Sequence, residues 1–142
     1  LVRRVSLLVD TSVFVAVERG EPETPAATRL NAVLEEEECA LSAVSASELL
    51  HGVHRARTAA QRARRERFVE AILAALPVLP IDLDVARNHA RLWADLAARG
   101  VSVGAHDLWI AATALTHERQ LLTANRREFE RIEDLEVIAW PA

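Results

Sequence analysis

The stretch Val5-Ser6-Leu7-Leu8-Val9-Asp10-Thr11-Ser12 decides the fold. Its run of Val and Leu predicts a strand buried on both faces, the kind found in a parallel sheet under helices. The run stops abruptly at Asp10-Thr11-Ser12, so this polar triplet lies where the strand leaves the core. In open α/β sheets, ligands bind at the carboxyl ends of the strands. A carboxylate placed there is desolvated on one side and open on the other, which suits a metal ion or a nucleophile. The plainer account is that Asp10 or Ser12 caps the next helix, Val13–Arg19. On the triplet alone, that account is the simpler one.

Outward from this strand, helices and short strands alternate. Gly20 and Pro22 mark a turn, and Thr24-Pro25 supplies an N-cap and first residue for a helix to about Glu36. The acidic run Glu35–Glu38 opposes the helix dipole and predicts a frayed, solvated end. Cys39–Leu41, or the longer stretch to Val44, is a second strand. Ser45-Ala46-Ser47-Glu48 fits a capping box, with Ser45 as N-cap and Glu48 reaching back, for a helix to about Arg57. A long helix follows, Thr58–Leu76. Its first half, Ala59–Arg67, lacks large apolar residues and should project from the core. Pro77–Ile81 is a third strand. Asp82 or Asp84 caps a helix carrying Val85, His89, Leu92, Trp93 and Leu96, which Gly100 closes as a left-handed cap. Ala105 to about Glu118 is helical, Gln120–Thr123 a fourth strand, Arg126–Ile132 a short helix and Val137–Ala139 a last strand. The alternation predicts one domain, 1–142, with a parallel sheet covered on both faces.

With 142 residues, 51% of them hydrophobic, the chain can bury one core without disulfides or metal staples. The single cysteine, Cys39, lies in an apolar stretch and excludes a disulfide framework or a cysteine-rich zinc site. No apolar run approaches a membrane span and no signal peptide is visible, so a cytoplasmic location is expected. The chain begins at Leu1 and contains no Met, which points to a trimmed or reassigned start. A net charge of −4 argues against a generic nucleic-acid binder. The basic residues are unevenly spread, however: all are Arg, and six fall between Arg55 and Arg67. Arg binds phosphate bidentately; a solvated helix face or GC-rich coding gives the same pattern.

Four places carry acids or amides in positions that demand explanation: the strand ends Asp10 and Thr123-Ala124-Asn125, and the helix beginnings Glu48 and Asp107. Asp107 shares a helical stripe with Ile110, Ala111 and Ala114, all apolar. Burying a lone carboxylate is costly or forces it to protonate. Two carboxylates about 4 Å apart repel by roughly 4 kcal/mol near a protein surface. Converging acids therefore need a counter-ion. With no cysteine cluster and no regularly spaced histidine pair, hard oxygen ligands favour Mg²⁺ or Mn²⁺ over zinc. Such a site suits phosphoryl transfer, because a bound metal lowers the pKa of an attacking water.

Four motifs occur in order: Asp10-Thr11-Ser12 after an apolar strand; Ser45-Ala46-Ser47-Glu48-Leu49; Gly104-Ala105-His106-Asp107-Leu108-Trp109-Ile110-Ala111-Ala112; and Leu121-Leu122-Thr123-Ala124-Asn125-Arg126-Arg127-Glu128-Phe129. Together they resemble the PIN domain, specifically the VapC-type toxins of bacterial toxin–antitoxin pairs, over essentially the whole chain. The resemblance implies a three-layer α/β/α domain around about five parallel strands. It also implies a Mg²⁺-dependent endoribonuclease, with Mn²⁺ as substitute, that cuts tRNA or rRNA and inhibits translation; in-line attack by a metal-activated water would leave 5′-phosphate and 3′-hydroxyl ends. A small VapB-like antitoxin that blocks the site, and a homodimer, are implied with it. Residue by residue, Asp10, Glu48 and Asp107 match the three acids of the pattern, which makes the capping box the minor account of Glu48. The fourth acid of the pattern falls where this chain has Asn125 or Glu128, leaving one metal or two open. Ser12 and Thr123 are hydroxyl ligands or donors to the ligands, or else caps. His106 contacts RNA or is simply exposed. Arg55, Arg57, Arg62, Arg64 and Arg65 are the candidates for holding RNA backbone. Two rivals stand beside this: a haloacid-dehalogenase-type phosphatase, which wants an acid where Ser12 stands, and a non-catalytic metal- or RNA-binding module.

Overall fold

A computed structural model describes residues 4–19 and 25–141. The chain runs β1 (Ser6–Val9), α1 (Thr11–Arg19), α2 (Pro25–Glu36), β2 (Glu38–Ser42), α3 (Ala43–His54), α4 (Ala59–Ala75), β3 (Val78–Leu79), α5 (Leu83–Ala98), α6 (Ala105–Thr116), β4 (Gln120–Thr123), α7 (Arg126–Phe129) and β5 (Val137–Ala139). The strands form one parallel sheet in the order β3-β2-β1-β4-β5, so the opening strand lies at its centre.

The unbroken apolar run of β1 is explained by the two layers it separates. Leu7 and Val9 point to one face with Cys39, Leu41 and Leu122, where α1 to α4 supply Val13, Phe14, Leu49 and Val69. Leu8 points to the other with Ala40 and Leu121, under Val85, Leu92, Ile110 and Phe129 of α5, α6 and α7. Successive strand side chains alternate between faces, and here both faces are dry. The architecture is the expected three-layer α/β/α arrangement.

The sheet order also positions the site. The chain builds outward from β1 to β2 and β3, then returns across the sheet to place β4 on the other side of β1. Strand order therefore reverses at β1, and a crevice opens where the crossovers part, beyond the carboxyl ends of β1 and β4. Asp10 follows β1 there, its backbone N–H donating to Leu122 O at 2.9 Å, and Thr123 closes β4.

Several local expectations shift. The turn at Gly20 and Pro22 and the cap at Thr24 lie outside the described residues. Helix α1 begins at Thr11, two residues earlier than expected. The acidic run is not merely a solvated end: Glu37 Oε2 accepts the Val5 N–H at 2.7 Å, and Glu38 opens β2 and pairs with Arg119 at 3.3 Å. The N-cap of α3 is Ser42, whose side chain accepts from Ser45 N at 2.9 Å, so Ser45 is inside the helix and the capping box Ser45–Glu48 does not form. Ser42 ends the strand with extended backbone (φ −78°, ψ 155°), so the helix starts as soon as the strand stops. α3 stops at His54, β3 spans two residues and α7 a single turn, all shorter than expected. Trp93 of α5 is 64% exposed, whereas Val85, Leu92 and Leu96 are buried. Thr58 and Asp82 cap α4 and α5, and Gly100 takes the left-handed conformation (φ 68°) after α5, as expected.

Candidate active site

Asp10 is 4% exposed, and its Oδ2 accepts hydrogen bonds from Ser12 Oγ at 2.6 Å and Thr123 Oγ1 at 2.8 Å. The two hydroxyls lie 3.2 Å apart and are themselves oriented by the loop after β4: Ala124 N donates to Ser12 Oγ (3.0 Å), and Asn125 N to Thr123 Oγ1 (2.9 Å). Burial pushes the Asp10 carboxyl above its ordinary range and outweighs the hydroxyl and Ser12 backbone hydrogen bonds that pull it down; Glu48 adds to the rise. Asp10 also stands at the entrance of α1, with Val13 N donating to its carbonyl at 3.1 Å. Asp10 thus opens the helix, as the capping account expected, while its Oδ2 is taken by Ser12 and Thr123.

Glu48 projects from the middle of α3 rather than from its first turn. Its Oε1 accepts from Thr11 Oγ1 at 2.8 Å, and its Oε2 faces His106 Nδ1 at 3.4 Å. Asp107 enters from the first turn of α6. Desolvation raises its pKa from 3.8 to about 6, reinforced by the charges of Asp10, Glu128 and Glu48 and eased by His106. Its stripe partners Ile110, Ala111 and Ala114 are fully buried, as the sequence pattern demanded. Folding thus brings within range of one another's charges three acids that stand 38 or more residues apart in the chain (48 − 10 for the nearest pair).

Among the described residues, no salt bridge engages Asp10 or Asp107. Nor are any three Asp, Glu, His or Cys side chains gathered tightly enough to hold one ion as they stand. Uncompensated carboxylates repel; Ser12 and Thr123 hold Asp10, and Thr11 and His106 hold Glu48. The donor chemistry, carboxylates supported by hydroxyls, is that of a hard divalent cation.

The fourth position divides in two. Asn125 precedes α7 with an exposed side chain that forms no cap bond. Both carboxylate oxygens of Glu128 are engaged beside Asp107: Oε1 accepts from Gly104 N at 3.1 Å, and Oε2 pairs with Arg131 at 2.9 Å. Thr11, Gly104 and the link from His106 to Glu48 carried no assigned role in the sequence. Only the position of Thr11 between Asp10 and Ser12 hinted at one.

An open groove of about 900 Å³ is lined by Glu48, by Val15, Val17, Leu49 and Phe68, and by Arg55, Arg64 and Arg65. Arg65 bonds Gly52 O at 3.0 Å and pairs with Glu18 at 3.4 Å. Arg62 contacts His54 at 3.0 Å, and neither it nor Arg57 lines the groove.

A model of the PIN domain matches residues 7–135. The chain belongs to the PIN-domain family. Among relatives of this PIN domain, ribonuclease VapC1 of Rickettsia felis is 34% identical over 134 residues, 94% of this chain and 96% of that one. Ribonuclease VapC of Rickettsia bellii is 32% identical over 137 residues, 96% and 98% of the two chains. In the solved structure of DNA-bound VapBC from Salmonella typhimurium, one chain superimposes on this PIN domain with a TM-score of 0.83 at 27% identity, covering 96% of this chain and 98% of that one. These similarities place the PIN domain among VapC ribonucleases.

Proposed function

We propose that this PIN domain is the endoribonuclease toxin of a toxin–antitoxin pair, in which Asp10, Glu48 and Asp107 hold Mg²⁺ or Mn²⁺ and Asn125 offers a neutral oxygen beside them. The observation that carries this is Asp10: a carboxylate 4% exposed, without a cationic partner among the described residues, and within range of the charges of Glu48 and Asp107. A bound cation would offset that repulsion and supply an activated water for attack on a phosphodiester.

The chain's own groups do the rest. Ser12 and Thr123 fix the Asp10 carboxylate by donating to Oδ2. Glu48, anchored through Oε1 by Thr11, keeps the loosely held Oε2 for a ligand bond or for the proton of the attacking water. Arg55, Arg64 and Arg65 receive RNA phosphates along the groove that Glu48 also lines. The apolar side of that groove, Val15, Val17, Leu49 and Phe68, takes a segment of a VapB-like antitoxin, which covers the acids. Relatives crystallised as VapBC complexes support the partner. tRNA or rRNA as substrate, arrest of translation, a cytoplasmic site of action and a homodimer complete the proposal.

The test is cleavage of tRNA and rRNA in Mg²⁺ by the parent and by Asp10→Asn, with ends mapped. The parent should leave 5′-phosphate and 3′-hydroxyl ends and the variant should be inert. Equal cleavage by both sinks the proposal.

A further inference from the structure

Gly104 is the N-cap of α6 and has no side chain with which to cap it. Three residues on stands Asp107. In a capping box, the acid at this third helical position reaches back to the N-cap N–H. Asp107 is well placed to do so, since its Oδ2 lies 3.5 Å from where a Cβ on Gly104 would sit. Yet the Gly104 N–H donates to Glu128 Oε1 at 3.1 Å, from α7, 24 residues further along the chain. Arg131, in the turn after α7, holds the other oxygen at 2.9 Å and keeps this carboxylate aimed.

We infer that Glu128 is a positioning residue: it takes the cap N–H that Asp107 would otherwise bind, and so leaves the Asp107 carboxylate free for the cation. This rests on the proposed metal site. The role differs from that of a fourth ligand, which the position in the motif suggested. It requires an acceptor oxygen at Glu128 but no charge. It also explains how an acid at a capping-box position is spared from capping: another element does that work. Arg131 in turn links to the end of α5, because its carbonyl accepts from Arg99 Nη2 at 3.2 Å, so three elements meet at the start of α6.

The test compares Glu128→Gln, which keeps the acceptor, with Glu128→Ala, which removes it. Mg²⁺ titrated calorimetrically should bind Glu128→Ala about tenfold more weakly than the parent, the usual scale for losing a group that orients a ligand. Glu128→Gln should bind close to the parent. In the metal-free protein, hydrogen exchange at the Gly104 amide reports on the cap itself. Protection should persist in Glu128→Ala, where Asp107 takes the N–H, and disappear in Glu128→Ala/Asp107→Ala. If Glu128→Gln binds as weakly as Glu128→Ala, Glu128 is a ligand and the inference falls. Unchanged Mg²⁺ affinity in Glu128→Ala, or loss of Gly104 protection in that single variant, also overturns it. Failure of the parent to bind Mg²⁺ would instead overturn the metal site, and the exchange arm would still judge the cap.

Discussion

Asp10 is a carboxylate in conflict with its surroundings. Two hydroxyls stabilise its charge, but burial opposes it more strongly, and Glu48 adds repulsion. An acid whose folded pKa exceeds its unfolded value favours the fold when protonated. That contribution is complete below the ordinary pKa of 3.8 and is lost as pH rises through the raised value. Asp107 acts in the same direction, over a window from about 4 to about 6. The metal-free protein should therefore lose stability across this range. Asp10→Asn, which retains an acceptor for Ser12 and Thr123, should melt higher than the parent at pH 7 in EDTA, with the gain shrinking toward pH 4. A lower Tm at pH 7 would mean the charge is already compensated. At this scale Asp107 was legible from its stripe of buried neighbours. Glu48 was visible as a candidate through the ordered motifs, but its local spacing alone was ambiguous, because Ser45–Glu48 imitates a capping box that only the strand-to-helix junction at Ser42 rules out.

The elements most exposed to test are α3 and α4, which carry Glu48 and the arginines. Ser42 is fully buried and supplies the side-chain cap of α3. Ser42→Ala should lower stability by about 1 kcal/mol, read by urea denaturation, and reduce metal affinity by loosening the helix that holds Glu48. The first half of α4 projects as its composition predicted: Arg62, Ala63 and Arg64 are exposed, and burial begins at Val69. If Arg55 and Arg64 neutralise phosphates, each change to Ala should weaken RNA binding and reduce the slope of log affinity against log salt by about 0.7. Arg57→Ala, at a residue away from the groove, should leave that slope nearly unchanged. Binding isotherms on Asp10→Asn protein at several salt concentrations decide this. Caps at Thr58 and Asp82 were readable because they depend on local backbone alone. The exposure of Trp93 was not, because helical spacing places a residue on a face without saying whether anything covers that face.

For the whole molecule, a cation that binds only the folded chain should stabilise it by mass action, by about 2.7 kcal/mol at a concentration 100 times its Kd. Tm should rise with added Mg²⁺, fall back with EDTA and lose its dependence on Mg²⁺ in Asp10→Asn. A Tm indifferent to Mg²⁺ would count against the site. The fold class followed from the sequence alone because both of its signals are short-range. A run of Val and Leu that stays apolar must be buried on both faces, and alternating helices and strands can cover a sheet in few ways. The order β3-β2-β1-β4-β5 and the crevice at β1 belong to the tertiary structure. So does the partner of each acid: Thr11 for Glu48, the hydroxyls for Asp10, Glu128 for the cap beside Asp107. Local propensity acts over a few residues, whereas desolvation and charge coupling depend on which distant side chains the packed sheet brings within reach.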